Sequence, residues 1–277
     1  MLQGEPTRTA DGGVPGSETR LREDDDLMDD KARQTETAAG GLARTCAAIL
    51  GPNLYAAVLH GSLTLGDFEP GRNDIDLMLV TGPDGLSATD RDHIVDAVDN
   101  ARVGAAKAVD LIVVTSTAAG RPSRAPASEL EVARYSDGIH VESAKAANED
   151  LVVELSMART SGRSLIGIPV DRAIGQVPAR WVKDRGLFWL GRWLTLADDA
   201  EHAELMVLTA CRIWHFDTEG TYCSKPQAGQ WALARDPSLS GITRALRQRR
   251  GDRDTIISAD DVTHVLLTVL DDVGARD

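Results

Sequence analysis

Apolar residues in the first half of the chain form short continuous runs separated by polar and glycine-containing segments. The runs at 54–59, 77–80 and 107–114 have the length and aliphatic content typical of buried strands. Between them, residues 29–50 and 88–106 repeat apolar positions at helical spacing, and Gly51-Pro52 ends the first helix. We predict a loop at 115–126, followed by two short strands, or a strand and a helix, at 129–134 and 139–141.

After about residue 145 the apolar pattern becomes helical and strand signals disappear. The predicted helices cover 146–161, 181–197, 203–219, 227–235 and 259–273. Ser258, followed by Asp260 and Asp261, is a typical N-cap with acidic residues in the first turn. Mixed elements followed by helices alone predict an α+β protein of two domains, with boundaries at 29–145 and 146–277. Residues 1–28 are predicted to form a disordered acidic tail.

The chain is acidic, which bears on its partners. Its net charge is −13 and its sequence pI is about 4.9. Residues 1–30 hold nine acidic residues and three arginines, so about half of the excess charge lies outside this segment. An acidic surface repels the phosphates of polymeric nucleic acid and attracts small polycations. We therefore expect small-molecule partners and no nucleic acid.

Three cysteines, Cys46, Cys211 and Cys223, are too few and too widely spaced for a disulfide framework or a Cys-x-x-Cys metal site. The six histidines show no metal-ligand spacing. No apolar run has the roughly 18 residues that a membrane span requires, and the N-terminus lacks an apolar signal core. The expected protein is a cytoplasmic monomer that does not contact a membrane.

The most informative motif is His60-Gly61-Ser62, followed twelve residues after the serine by Asp74-Ile75-Asp76. Because side chains alternate along a strand, Asp74 and Asp76 share one face, about 7 Å apart, while Ile75 points into the core. Oxygen ligands of this kind select Mg²⁺, which keeps waters and shares its shell with phosphates. Two solvated aspartates at a strand end are the alternative. The Gly-Ser turn favours a nucleotidyltransferase.

Asp110 is the one charged residue in the apolar run 109–114, and a buried aspartate requires a cation or a donor. If its strand lies beside the aspartate pair, three carboxylates converge as in two-metal phosphoryl-transfer sites. The alternative is an aspartate at a strand edge that faces water.

With both halves considered, the chain resembles the aminoglycoside nucleotidyltransferases that adenylylate streptomycin and spectinomycin. The resemblance covers about residues 36–275. It rests on the N-terminal motif and on the more specific helical half, in which 208–214, Gly220, Lys225 and Trp231-Ala232 match the family's pattern. It implies a polymerase-β-like nucleotidyltransferase domain with a mixed sheet and flanking helices, followed by an all-α bundle.

The resemblance also implies roles for individual residues. Asp74, Asp76 and Asp110 would be the metal ligands, and Asp110 would also be the catalytic base where the family usually has a glutamate. Gly61, Ser62, Arg212 and Lys225 would bind the triphosphate of ATP. Substrate contacts would come from Trp193, Asp198, Tyr135 and His202. Three positions depart from the family: Asn73 replaces a serine, Tyr135 a tryptophan and His202 an acidic residue.

Without the resemblance, several of these positions have simpler interpretations. Lys225 could be a solvated loop lysine, Trp193 a core residue, and the acidic residues 198–204 a solvated turn. The basic run Arg244, Arg247, Arg249, Arg250 and Arg253 is interpreted as a solvated helix end and loop without assigned function.

The predicted function is ATP- and Mg²⁺-dependent transfer of AMP to a hydroxyl of streptomycin or spectinomycin, with pyrophosphate released. Two alternatives remain open. One is the same chemistry on another small hydroxylated acceptor. The other is a non-catalytic, antitoxin-like protein with the nucleotidyltransferase fold, against which the complete carboxylate set and the helical half argue.

Overall fold

The computed structural model describes the backbone of residues 17–276 and the side chains of residues 28–276. The first helix, α1 (Ser17–Leu50), begins well before the predicted start at Asp29, so the second part of the predicted disordered tail is helical. Residues 1–16 of that tail lie outside the described part of the chain. Gly51-Pro52 does end the helix, through one 3-10 turn at Gly51–Asn53.

A six-stranded mixed sheet forms the centre of the first half and confirms the predicted α+β class. Its strands are β1 (Leu54–His60), β2 (Ile75–Thr81), β3 (Val109–Thr115), β4 (Ser128–Tyr135), β5 (Gly138–Lys145) and β6 (Arg163–Gly167). The order is β5-β4-β3-β2-β1-β6. Only β2 and β3 are parallel neighbours; the other pairs are antiparallel.

Both faces of the central strands are covered, which explains why the sequence shows unbroken apolar runs there. Ala57, Leu59, Leu77 and Leu79 pack with α1 and with α3 (Ala88–Asp99). Alternate residues, among them Val58 and Met78, pack with α5 (Leu151–Ser161) on the opposite face. Asp76 and Asp110 have the parity of this second group, so they project toward the α5 side of the sheet.

Several local predictions differ from the structure. Helix α3 ends at Asp99 rather than at 106, because Asn100 caps it and Gly104 (φ 60°) turns the chain against Thr35 of α1. The predicted loop at 115–126 begins with a short helix, α4 (Ser116–Gly120), capped by Thr115. The segment at 128–145 forms a hairpin of two strands, which agrees with the first of the two predicted alternatives, although the second strand is longer than predicted.

Strand β6 is a further difference, because strand signals were expected to end near residue 145. It follows α5 and pairs with β1 at the edge of the sheet. Gly167 (φ 86°) passes so close to the Tyr55 backbone that a Cβ there would lie 2.0 Å from the Tyr55 carbonyl oxygen. The sheet therefore uses residues beyond the boundary at 145/146, which stays a prediction.

After β6 the described chain is helical, as predicted, and it includes a helix, at 240–249, that the sequence pattern did not predict. A short helix α6 (Val170–Ala173) leads to α7 (Ala179–Leu194), α8 (Ala203–Glu219), α9 (Lys225–Arg235), α10 (Ser240–Arg249) and α11 (Ala259–Gly274). Helices α7 to α11 bury one apolar cluster that includes Leu190, Leu208, Cys211, Ile242 and Leu266. Within the described residues, every helix is too short or too polar to traverse a lipid bilayer.

Candidate active site

Gly61 allows the turn after β1 to lie against Asp76. It has φ 71°, a conformation that glycine tolerates best, and it precedes the short helix α2 (Ser62–Leu65). A Cβ at Gly61 would lie 1.9 Å from Oδ2 of Asp76. The predicted Gly-Ser turn and the predicted aspartate strand are therefore in direct contact, and any larger residue at 61 would displace the carboxylate.

The three predicted carboxylates converge. Asp76 and Asp110 are partners in the parallel register of β2 and β3, and Asp74 lies one residue before β2. Burial, followed by the charges of Glu154, Asp110 and Asp74, raises the pKa of Asp76 well above its usual value. Burial and the charges of Asp74 and Glu131 raise the pKa of Asp110 to about 6. Such mutually repelling carboxylates are stabilised by a cation.

One oxygen atom of these carboxylates is available to bind a metal ion. Oδ1 of Asp74 is buried and has no hydrogen-bond partner. Burial raises the pKa of Asp74, while Lys107 and Lys225 oppose that effect. Among the described residues, no group of three or more His, Cys, Asp and Glu side chains is arranged to hold a metal ion unaided. The donor set therefore suits an ion such as Mg²⁺ that takes further ligands from water and phosphate.

A polar cavity of about 210 Å³ adjoins these carboxylates; we call it the polyphosphate cavity. Gly61, Ser62, Asp74 and Asp76 line one side. Four cations, Arg72, Arg212, Lys225 and Arg249, also line it, together with the acids Asp67 and Glu154. The hydroxyl oxygen of Ser62 is buried without a partner. Cations facing a carboxylate pair across a small cavity suit a polyanion that arrives with its own divalent cation.

Lys225 begins α9 and is not the solvated loop lysine of the simpler interpretation. Burial, followed by the charges of Arg212 and Arg249, lowers its pKa to about 8. Arg212 projects from α8, and its guanidinium contacts Sδ of Met157 at 3.7 Å. Arg212 and Lys225 therefore meet in one cavity, as predicted from the sequence, and their mutual repulsion favours an anion between them.

Arg249 corrects the interpretation of the basic run as entirely solvated. It is only 7% exposed and pairs with Glu69 (2.9 Å) and Glu204 (3.3 Å). Its Nη2 atom is buried without a hydrogen-bond partner. Ile242, Ala245, Leu246 and Arg249 share the buried face of α10 at i, i+3, i+4 and i+7 spacing, a signal that the sequence contained.

A second cavity, of about 250 Å³, has aromatic walls; we call it the aromatic cavity. It is lined by Trp189, Trp193, Phe216 and Tyr222, together with Asp150, Glu154, Arg185 and Arg212. The rings of Trp189 and Trp193 stack with centroids 5.7 Å apart. Trp193 also packs against the helical core, so it is both a core residue and a cavity wall.

Asp150 and Arg185 organise the mouth of the aromatic cavity, and the sequence analysis did not identify them. Arg185 donates from Nε and Nη2 to the two carboxylate oxygens of Asp150, at 2.7 and 2.8 Å. The indole N–H of Trp189 donates to Asp150 at 2.6 Å. These bonds lower the pKa of Asp150 against the effect of its burial, and they fix the orientation of Trp189.

The remaining predicted substrate residues have different positions. Tyr135 ends β4, and the charges of Asp110, Asp74 and Asp76, after burial, raise its pKa, so it lies near the carboxylates. Asp198 is exposed in the turn after α7. His202 precedes α8, with its ring nitrogen 2.8 Å from Asp199. Neither Asp198 nor His202 lines the polyphosphate or the aromatic cavity, so their roles stay predictions.

Glu154 of α5 is the most important residue that the sequence analysis missed. It lines both cavities already described and also a third one, of about 200 Å³, which we call the carboxylate cavity. The carboxylate cavity is bounded by His60, Asp76, Asp110, Glu131 and Asp150. The sequence does mark Glu154, because it is the single acid in the mostly apolar segment 151–158. The same pattern, one charge among apolar neighbours, identified Asp110.

Comparison with known proteins agrees with this geometry. Residues 190–269 match the family model described as the aminoglycoside adenylyltransferase C-terminal domain. The resemblance inferred from the sequence is confirmed. An aminoglycoside (3'') (9) adenylyltransferase from Klebsiella pneumoniae is 28% identical over 222 residues, covering 76% of this chain and 84% of the relative. One from Escherichia coli is 28% identical over 197 residues, covering 68% and 74%.

A solved structure shares the fold. The spectinomycin adenyltransferase AAD(9) from Enterococcus faecialis, crystallised with ATP and spectinomycin, superposes with a TM-score of 0.69 at 16% identity. The match covers 87% of this chain and 99% of the other. At this identity the match shows the arrangement of the sheet and helices, and the roles of individual residues must come from the site itself.

Proposed function

We propose that this protein transfers AMP from ATP to a hydroxyl of an aminoglycoside antibiotic and releases pyrophosphate. One observation carries the proposal: the convergent carboxylates Asp74, Asp76 and Asp110 adjoin a cavity lined by four cations, and Glu154 joins that cavity to a second one with aromatic and acidic walls. The first cavity suits a triphosphate, and the second suits a cationic, partly apolar acceptor. The relatives named as aminoglycoside adenylyltransferases support the same acceptor class.

In this proposal ATP lies in the polyphosphate cavity. Arg212, Lys225 and Arg249 bind phosphate oxygens, and Ser62 donates its hydroxyl to one of them. Asp74 and Asp76 would hold Mg²⁺, with Asp110 beside them. When bound, the metal supplies Lewis-acid stabilisation of charge on the phosphates and the leaving group.

The chemical step forms one bond and breaks one. The acceptor hydroxyl oxygen attacks the α-phosphorus, and the bond from that phosphorus to the bridging oxygen breaks to release pyrophosphate. Asp110 accepts the proton of the hydroxyl. Its pKa of about 6 suits a base that is ionised at neutral pH but is still basic enough to take a proton.

The acceptor lies in the aromatic cavity in this proposal. Trp189 and Trp193 provide flat apolar surfaces, and Asp150 and Glu154 provide negative charge. Protonated amino groups and guanidinium groups pack well against aromatic faces and pair with carboxylates. Streptomycin and spectinomycin both carry such cations. The net charge of −13 favours their approach and disfavours nucleic acid as a partner.

A pyrophosphate-release assay with ATP, Mg²⁺ and an aminoglycoside panel tests the proposal. We expect release that depends on streptomycin or spectinomycin, and a product heavier than the antibiotic by one AMP group. Release with other hydroxylated small molecules but with no antibiotic would retain the chemistry and reject the acceptor. No ATP turnover with any acceptor, despite ATP binding, would favour a non-catalytic binding protein.

A further inference from the structure

Glu154 has a position that no other residue of the site shares. Of the polyphosphate, aromatic and carboxylate cavities, it is the lining residue common to all three. The aromatic and polyphosphate cavities share Glu154, Met157 and Arg212, so an acceptor that reaches from the first cavity to a nucleotide in the second lies beside these side chains. The Glu154 carboxylate therefore lies at the junction where donor and acceptor have to meet.

The fold fixes this position. Leu151, Leu155 and Ala158 of α5 pack into the apolar layer between the helix and the sheet. That packing directs the intervening Glu154 toward the end of the sheet where Asp76 and Asp110 project. The Glu154 charge is the largest contribution after burial to the raised pKa of Asp76, and Asp110 contributes to that of Glu154. Three carboxylates from three elements thus surround the junction.

Acidic side chains predominate around Glu154 in the carboxylate cavity. Its ion-pair contact within the described residues is with Nδ1 of His60, at 3.6 Å. Burial lowers the pKa of His60 to about 4, so the ring is neutral near pH 7. Burial, followed by the charge of Asp110, raises the pKa of Glu154 to about 7, and the charge of Arg212 opposes this increase. Arg212 reaches Glu154 from the aromatic and polyphosphate cavities. The carboxylate cavity has four further acids and, among its described lining residues, no lysine or arginine, so a cationic group is favoured on that side of Glu154.

We propose that Glu154 is an acceptor-binding residue whose carboxylate pairs with a protonated amino or guanidinium group of the acceptor, beside the hydroxyl that receives AMP. The inference rests on the proposed function, because it assigns a contact within the same site. It predicts that acceptors without a cation next to the reacting hydroxyl bind weakly. It also separates the roles of the acids: Asp74 and Asp76 serve the nucleotide, and Glu154 serves the acceptor.

The competing explanation is structural, with Glu154 kept only to satisfy the buried His60. A charge-neutral replacement decides between them. Glu154→Gln keeps the length and hydrogen-bonding capacity of the side chain and removes its charge. Glu36→Gln is the matched control, because Glu36 also lies on a helix, is 38% exposed against 37% for Glu154, and pairs with Arg163 away from the three cavities.

Calorimetric titration measures the affinities directly, with streptomycin and spectinomycin as acceptor probes without nucleotide, and with ATP·Mg²⁺ separately. For Glu154→Gln we expect at least about tenfold weaker binding of an acceptor that wild type binds, as for loss of a charge-assisted hydrogen bond, with ATP affinity changed less than about twofold. Glu36→Gln should match wild type in both titrations. Melting curves of each variant establish that the fold is intact.

Glu154→Asp keeps the charge and should retain more acceptor affinity than Glu154→Gln. Unchanged acceptor affinity in Glu154→Gln would overturn the assignment while leaving the proposed function in place, and so would equal losses in the Gln and Asp variants. Wild-type protein that binds ATP but neither antibiotic would overturn the proposed function and this assignment with it.

Discussion

Asp76 of β2 and Asp110 of β3 are direct partners in the parallel register of the sheet, and the pKa of each is raised above its usual value. A sheet interior does not place two carboxylates side by side without cost, because each disfavours the ionised form of the other. The arrangement therefore weakens the metal-free protein and creates a cation site.

Asp76→Asn should abolish AMP transfer while stabilising the metal-free protein at neutral pH. The reason is that an amide removes a buried charge that Asp110, Asp74 and Glu154 all repel. Urea unfolding in the presence of a chelator measures the free energy of unfolding, and pyrophosphate release measures transfer. A variant with substantial transfer activity would contradict the role of Asp76.

The free energy of unfolding of the metal-free protein should fall as pH rises. The pKa values of Asp110 and Glu154 are raised to about 6 and about 7, above their usual values. Groups with raised pKa contribute stability that is fully present below the unfolded-state pKa and is lost as pH rises through the folded-state pKa. We expect the decrease between about pH 4 and pH 7.5, and a smaller decrease in Asp110→Asn. Unfolding free energies that rise over this window in wild type would contradict the assigned directions.

Gly61→Ala should lose activity and stability together. The new Cβ would lie 1.9 Å from Asp76 Oδ2, and φ 71° disfavours any L side chain. We expect about 1–3 kcal/mol of destabilisation and a large loss of turnover. Gly220→Ala is the control, because Gly220 has φ 69° and nothing within 4 Å of its Cβ position. Equal turnover in the two variants would show that backbone strain alone, and not displacement of Asp76, accounts for the loss.

Asp110→Asn should lower turnover by roughly 10²–10⁴-fold with little change in ATP affinity, which is the usual contribution of a positioned base. A large loss of ATP binding would instead make Asp110 chiefly a metal ligand. Asp110→Glu adds the methylene that the family usually has at this position. Restored or increased turnover in that variant would show that the longer base also fits between β3 and its neighbours.

Arg249→Ala should weaken ATP binding and destabilise the contact between the two halves. Arg249 of α10 pairs with Glu69, which precedes β2, and with Glu204 of α8. Its removal leaves Arg72 to balance both acids and takes away the more buried of the two cations. Arg250 is exposed one residue later, so Arg250→Ala is the matched control. Equal ATP affinity of the two variants, measured by calorimetry, would remove Arg249 from the polyphosphate cavity.

Asp198→Ala tests the predicted streptomycin contact. If Asp198 binds a guanidinium group, its loss should cost about 1.5–3 kcal/mol of streptomycin affinity and far less for spectinomycin. Asp198 is exposed in the turn after α7 and does not line the aromatic cavity. Of the contacts predicted from the sequence, this one therefore has the least support from the cavity geometry. Calorimetry with both antibiotics checks it, and equal losses would contradict a streptomycin-specific site.

The residues that the sequence predicted share one property: their signal is local. Strand alternation placed Asp74 and Asp76 on one face, and a single charge in an apolar run marked Asp110. Strand β6 was not predicted, because it is a short, half-exposed edge strand. Its pairing with β1 depends on where α5 returns the chain. The burial of Arg249 was not predicted, because its acidic partners, Glu69 and Glu204, are distant in sequence.

The measurement that tests the account most directly is mass analysis of the antibiotic after incubation with ATP and Mg²⁺, for wild type and Asp76→Asn in parallel. We predict that wild type adds one AMP group to streptomycin or spectinomycin and releases one pyrophosphate for each antibiotic modified. Asp76→Asn, folded to the same extent, should produce neither. Unmodified antibiotic with wild type, or equal modification by both proteins, would contradict the central claim that these carboxylates form an adenylyl-transfer site.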